Sequence, residues 1–349
     1  MEPGTRIGAY VVEKRLGSGA MGEVFRVVQP ETQARFALKL LSPELAQEPE
    51  LAERFQRELL TQARLSSHPN IVGVHDVGRD ARGVPFFVMD LVEGPSWRDA
   101  MDRGQLISDG LKILSQVGAA LEVAHAAGLV HRDVKPANVV IDAQGNGRLT
   151  DFGVVAAGEA SDLTRPGQMF GTVTYMAPEL ANSAHGPVGP WTDVYSLGAI
   201  LYELLTGRTP LVGENSMLLL TTLVGDPDAI RPPHELQPNV DAKLAEVAMR
   251  ALAHRPEARY ASAADMVRDL ERARRGEGIS PAQVRAAAEL KVWQAARAEG
   301  IAPPAGSPMA TVVEEDEPDL GFAEPELAAS GRSWLEPFVY LLALVCVIG

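Results

Sequence analysis

Between residues 10 and 90, apolar and polar residues alternate in short runs, the period of β-strands. Tyr10-Val11-Val12 leads into the stretch from Leu16 to Val24, and Phe36-Ala37-Leu38-Lys39-Leu40 places one amine among apolar neighbours. Phe86-Phe87-Val88-Met89 is unbroken and reads as a buried strand. Residues 50–65 change period. Leu51, Phe55 and Leu59 recur four apart, which predicts one helix, ended by His68-Pro69-Asn70. Beyond residue 95 the helical period takes over. Leu111, Leu114, Val117, Leu121 and Ala124 form one stripe that stops at Gly128. Val194, Leu197, Leu201 and Leu204 form a second, widened by Ile200 and Leu205 toward full burial, with Thr192 as the expected N-cap. A last amphipathic helix runs from about Ser262 to Arg274. One β interruption is expected, because Asn146-Gly147 between Val139-Val140-Ile141 and Arg148-Leu149-Thr150 is a hairpin signal. The pattern is α+β: a β-rich part over about 10–90 with one main helix, then a mostly α-helical part over about 95–274.

The remainder has a different character. An alanine-rich helical extension is expected over 275–301, followed by a Pro-rich and acidic linker over 302–332 whose composition is that of disorder. Residues 333–349 turn apolar, and the last twelve, from Phe338, carry no charge. That is short of the roughly 20 a spanning helix needs. The favoured reading is the start of a transmembrane helix, because an exposed run this apolar is an aggregation hazard. A short docking segment is the alternative.

Composition narrows the classes. The formal charge of -14 argues against nucleic-acid binding, and about half of it lies in Ile301–Gly349, with eight acids and one base. A single cysteine, Cys346, excludes a disulfide framework within one chain. No apolar core of a signal peptide interrupts the charged N-terminus.

Chemistry concentrates at His131-Arg132-Asp133-Val134-Lys135-Pro136-Ala137-Asn138. Asp133 can accept a proton, Lys135 can neutralise a phosphoryl group, and Asn138 can ligate a hard cation. That set suits phosphoryl transfer, where catalysis is mostly positioning and charge stabilisation. His131 reads as a packing residue rather than a base. Leu16-Gly17-Ser18-Gly19-Ala20-Met21-Gly22-Glu23-Val24 clusters small residues that let backbone N–H groups approach an anion, although a plain glycine-rich turn reads the same way. Asp151-Phe152-Gly153 follows the hairpin, and an aspartate there is a natural magnesium ligand.

The spelling H-R-D-x-K-x-x-N, with the glycine loop, Lys39, Glu58, Asp151-Phe152-Gly153, Ala177-Pro178-Glu179 and Arg259 in order, resembles the protein kinase family. Gly19-Ala20-Met21-Gly22 and Thr150 resemble bacterial receptor-like serine/threonine kinases in particular. The resemblance implies a two-lobed kinase fold over 1–274. It makes the glycine loop a cover for ATP, and Lys39 the ligand of its phosphates, held by Glu58, with Glu53 the nearby alternative. Ala37 and Val140 would line the adenine site, Met89 would guard the pocket behind it, and the Asp90 and Val92 backbones would bond adenine. Asp133 and Lys135 would be catalytic, and Asn138 and Asp151 would hold Mg2+, with Mn2+ an alternative ion. Glu179 and Arg259 would form an architectural pair, and Asp193 would brace the catalytic loop. Arg132 implies a phosphate on the activation segment, at Thr164 first and Ser161 second. Thr172 with Lys135 implies Ser or Thr hydroxyls of proteins as acceptors. A homodimer for autophosphorylation in trans, and a cytoplasmic kinase domain anchored in the membrane by one pass through about 333–349, follow as expectations. A catalytically silent nucleotide-binding scaffold and a small-molecule phosphotransferase are the alternatives.

Overall fold

The computed structural model describes residues 1–19, 22–42, 59, 62–104, 107–152, 173–213 and 215–281. Six strands build the first lobe: β1 (Arg6–Ile7), β2 (Tyr10–Gly19), β3 (Gly22–Val28), β4 (Arg35–Leu41), β5 (Val74–Arg79) and β6 (Pro85–Asp90). They form one sheet in the order β1-β2-β3-β4-β6-β5 with every pairing antiparallel. The period-2 pattern is realised on β3, where Phe25 and Val27 are buried and Val24, Arg26 and Val28 are only partly covered. Two register shifts in β2, between Val12 and Lys14 and between Arg15 and Gly17, break its ladder with β3. Most of the helix expected over 50–65 lies outside the described residues. Leu59 is buried in the first core, and Leu65 joins the second.

Eight helices are described in the second lobe: α1 (Trp97–Asp102), α2 (Ile107–Ala126), α3 (Pro178–Ala181), α4 (Pro190–Thr206), α5 (Ser216–Gly225), α6 (Pro233–Leu236), α7 (Ala242–Ala251) and α8 (Ala263–Arg274). The hairpin of β7 (Val139–Ile141) and β8 (Gly147–Leu149) lies between α2 and α3 in sequence. Every residue of α4 except Leu204 is buried, as its widened stripe implies, and α2 and α7 pack against it. The stripe on α2 is buried throughout. Ser262 caps α8 by accepting from the Asp265 N–H at 3.1 Å.

Of two local expectations, one is corrected and one is borne out. Thr192 is not the N-cap of α4, because Pro190 starts the helix with Gly189 at the cap. Proline needs no N–H partner in the first turn and favours that position. Thr192 instead accepts from the Gly189 N–H at 3.1 Å and donates to Glu179 at 2.8 Å. The expected hairpin is present, with β7 pairing antiparallel to β8. Gly147 already belongs to β8, and the loop is Asp142–Asn146, closed by the Asp142 N–H on the Asn146 carbonyl. Gly145 supplies the left-handed residue at φ 73°, and the Asp142 carboxylate accepts from the Gln144 and Asn146 N–H groups.

Packed chain continues past α8. Ile279 lies against the second core, and the buried Asp269 accepts from both the N–H and the hydroxyl of Ser280. Among the described residues no helix is long and apolar enough to cross a membrane. The apolar run over 333–349 lies outside them.

Candidate active site

The loop from His131 to Asn138 is held from beneath by Asp193, near the start of α4 and fully buried. Its carboxylate accepts from the His131 N–H (2.8 Å), the Arg132 N–H (2.7 Å) and His125 Nε2 (2.7 Å). Burial pushes the Asp193 carboxyl up, but the His125 hydrogen bond, the neighbouring histidines and the backbone donors outweigh it, so the group lies below the ordinary carboxylate range. Arg132 sits at φ 64°, a costly conformation for a side-chain-bearing residue, and its bond to Asp193 stabilises it there.

His131 is fully buried, and its ring bonds settle its tautomer. Nε2 lies 3.0 Å from the Thr150 carbonyl, which can only accept, so Nε2 carries the hydrogen. Nδ1 then accepts from the Asp133 N–H at 3.3 Å. Both nitrogens are committed, which agrees with the packing role expected of this residue. Its ring lies against Phe152, with centroids 4.8 Å apart.

Asp133 Oδ2 accepts from Lys135 Nζ at 2.8 Å and from Asn138 Nδ2 at 3.0 Å. Asn138 Nδ2 also reaches the Asp133 carbonyl at 2.8 Å. These bonds orient the amide and leave Asn138 Oδ1 as the atom able to meet a cation. The Asn138 carbonyl accepts from the Thr150 N–H, tying this loop to the residue before Asp151.

Asp151 leaves β8 at φ 57°, and its Oδ1 lies 2.5 Å from Lys39 Nζ. Lys39 comes from β4 in the other lobe, separated by 112 positions, and is buried. A solvated edge lysine is therefore excluded. Ala37 and Lys39 lie on the same face of β4, and Ala37 pairs with Met89 on β6. Met89 is buried, and the Thr150 hydroxyl lies 3.9 Å from its sulfur. The Asp90 N–H is bonded to the Gly73 carbonyl. Val92 and Val140 are partly exposed. In the hinge, the stretch from Asp90 that joins β6 to α1, a Cβ on Gly94 would lie 1.8 Å from the Ile141 carbonyl oxygen, so only glycine fits there.

In the glycine loop, Leu16 to Gly19 and Gly22 to Val24 are described, and Ala20 and Met21 lie outside the described residues. Gly22 is at φ 139° and a Cβ there would lie 1.9 Å from the Leu40 carbonyl oxygen, so its glycine is required by the sheet. Glu58, Glu53, Ser161, Thr164, Thr172 and Gly153 also lie outside the described residues.

Glu179 and Arg259 form a fully buried pair, Nη1 to Oε1 at 2.7 Å and Nη2 to Oε2 at 2.9 Å. The remaining guanidinium hydrogens go to the carbonyls of Ala253, Trp191 and His254, so all five donors are used. The guanidinium also stacks over Tyr195, 4.9 Å from its ring centre. Sequence reasoning missed His125, whose only signal is its place beside the buried Ala124, and Thr150 as a link between Met89 and the loop.

The sequence matches the family model described as Protein kinase domain over residues 10–269. It is 38% identical over 264 residues to the serine/threonine-protein kinase PknA of Mycobacterium tuberculosis, covering 74% of this chain and 59% of that one. It is 36% identical to PknL of the same organism over 264 residues, covering 75% and 65%. The crystal structure of the M. tuberculosis PknI kinase domain superposes with a TM-score of 0.61 at 33% identity, covering 78% of this chain and 99% of that one. The chain thus belongs to the protein kinase family. It spans about six-tenths of the length of PknA.

Proposed function

We propose that this chain is a serine/threonine protein kinase, transferring the γ-phosphoryl group of ATP to Ser or Thr hydroxyls of proteins. The observation that carries the reading is the meeting of Lys39 and Asp151 at 2.5 Å across the two lobes, beside the bonded set Asp133, Lys135 and Asn138. The naming of relatives such as PknA as serine/threonine kinases supports the same class of acceptor.

Asp133 engages its two side-chain neighbours through Oδ2, so Oδ1 is placed to orient the acceptor hydroxyl and take its proton. Lys135 offsets charge on the moving phosphoryl group, and Lys39 steadies the nucleotide phosphates. The bond that forms is acceptor oxygen to γ-phosphorus; the bond that breaks joins the γ-phosphorus to ADP. Asp151 and Asn138 Oδ1 would offer a hard cation one carboxylate and one neutral oxygen, the partial protein set that Mg2+ commonly takes beside phosphate oxygens and water. Bound Mg2+ would neutralise charge on the phosphates. At the hinge, the Asp90 N–H is already bonded, so the contact of this residue with adenine falls to its carbonyl, with the Val92 backbone beside it. Ala37 and Val140 would line that pocket and Met89 would guard the space behind it, under the glycine loop expected from Leu16 to Val24.

Autophosphorylation in trans on Thr164, then Ser161, by a second copy fits the Arg132 that precedes the catalytic aspartate. Attachment to the membrane through 333–349, with the kinase domain in the cytoplasm, fits the apolar run there. The purified chain incubated with Mg2+ and ATP is expected to incorporate phosphate on Ser and Thr, both in itself and in a generic protein substrate. Lys39→Met is expected to abolish incorporation. Incorporation unaffected by that substitution would reject the reading.

A further inference from the structure

The side chain of Asp90 does something that its place at the hinge does not require. Oδ1 lies 2.6 Å from His75 Nε2 on β5, in the first lobe. Oδ2 accepts from the Gly73 N–H at 3.1 Å and lies 3.4 Å from Arg148 Nη1 on β8, in the second lobe. One carboxylate therefore touches both lobes and the segment joining them. The Gly73–Asp90 contact is doubled, because the Asp90 N–H also bonds the Gly73 carbonyl.

The anchor on the second-lobe side is firm. Arg148 Nε donates to the Pro69 carbonyl at 3.0 Å, and the Leu149 N–H donates to the Asn70 carbonyl. Asn70 Nδ2 reaches the Gly147 carbonyl at 2.8 Å, and the Val72 N–H bonds Leu149. Four hydrogen bonds thus tie residues 69–72 to β8, and the Asp90 carboxylate meets that tied unit through Arg148. Asp90 and Arg148 are both about one-quarter exposed, so their attraction is damped by water but not lost to it.

We infer that Asp90, His75 and Arg148 form an electrostatic latch behind the nucleotide site, and that Arg148 and His75 are positioning residues setting how readily the lobes part to exchange nucleotide. The inference rests on the kinase reading, which places the Asp90 backbone against adenine. Adenine bonded to that backbone and the latch bonded to its side chain pull on the same residue, so each biases the other. A loosened latch lets the lobes open more often. ADP then leaves faster and KM for ATP rises, while kcat holds or increases if product release limits turnover.

The test measures dissociation of a fluorescent ADP analogue with Mg2+ by stopped flow, steady-state kinetics and thermal midpoints. The variants are Arg148→Gln, Arg148→Lys, His75→Gln, Asp90→Asn and the double variant Asp90→Asn with Arg148→Gln. For a partly exposed pair, Arg148→Gln is expected to speed ADP dissociation and raise KM for ATP by about three-fold. Arg148→Lys should stay near wild type, because the charge is kept. His75→Gln should speed ADP dissociation less than Arg148→Gln, since an amide can still donate to Oδ1. Asp90→Asn alone should be at least as fast as Arg148→Gln, because it weakens the His75 contact too, and the double variant should be no faster than Asp90→Asn, since Arg148 enters the latch through that carboxylate. A lowered midpoint with unchanged ADP dissociation would make the cluster a plain structural brace and overturn the latch. Additive effects in the double variant would do the same. If wild type binds the ADP analogue yet phosphorylates nothing, the kinase reading fails while the dissociation data still judge the latch.

Discussion

Replacing Asp193 with asparagine is expected to damage stability and turnover together, and the size of each follows from its surroundings. The carboxylate receives three short bonds, from His131 N–H, Arg132 N–H and His125, with its side chain fully buried. Hydrogen bonds to a charged group contribute about 1.5–3 kcal/mol each. Asparagine keeps one acceptor oxygen and turns an NH2 toward a donor, so at least one bond is lost and a buried N–H is left facing another. A loss of about 1.5–3 kcal/mol or more is expected, the worth of at least one bond to a charged acceptor. With its bond to Asp193 gone, Arg132 has less to hold it at φ 64°, and Asp133 shifts with it. A displacement near 1 Å at a reacting group costs on the order of 100-fold in rate. Lys39 and the hinge are untouched, so KM for ATP should change little. The pH dependence has a definite sign. The Asp193 carboxyl is depressed in the folded chain, so its stabilisation is present above its ordinary value of 3.8 and is lost as pH falls through the lower folded value. The variant should lack that part of the acid limb. Urea unfolding followed by tryptophan fluorescence, beside steady-state kinetics, reads both effects. A loss below about 1 kcal/mol with wild-type kcat would refute the bracing role.

Three further outcomes follow from the packing. Arg259→Met strands Glu179 in a dry site with Thr192 as its remaining side-chain partner among the described residues, and a loss of about 3–5 kcal/mol in urea unfolding is expected; a loss under about 1 kcal/mol would contradict the burial of that pair. Gly94→Ala forces a Cβ into the Ile141 carbonyl and must part the hinge from β7, so nucleotide affinity measured by calorimetry should fall; wild-type affinity and midpoint would show the approach is looser. His254 Nε2 lies 3.0 Å from His185 Nδ1, and burial, then His185 and Arg259, hold its pKa below 6.5. Its stabilising contribution is therefore present above 6.5 and lost as pH falls through that value toward the lower folded one, so the thermal midpoint should drop over that window and His254→Gln should flatten the drop.

The residues whose chemistry is tied to their type were legible in the sequence. Lys39, Asp133, Lys135, Asn138 and Asp151 stand where the motif order puts them, and the folded chain gathers them into two bonded groups, linked by the Thr150 N–H on the Asn138 carbonyl. The strand and helix periods were equally plain wherever one face is buried, as on β3 and α2. Features set by distant partners could not be read. Asp193 draws its three donors from residues 61–68 positions away, and no local pattern announces them. The carboxylate of Asp90 looked like a spectator because only its backbone had an obvious use. The shifted start of α4 was a local misreading: Pro190 outweighed Thr192.

The claim beneath all of this is that Asp133 orients and deprotonates the acceptor hydroxyl in a cleft where Lys39 and Asp151 hold ATP. Asp133→Asn, compared with wild type for phosphate transfer to a generic protein substrate and for Mg2+-ATP affinity by calorimetry, tests it most directly. Transfer is expected to fall by on the order of 100-fold or more, the scale of a positioned base, with affinity nearly unchanged. Transfer near the wild-type rate in that variant would contradict it.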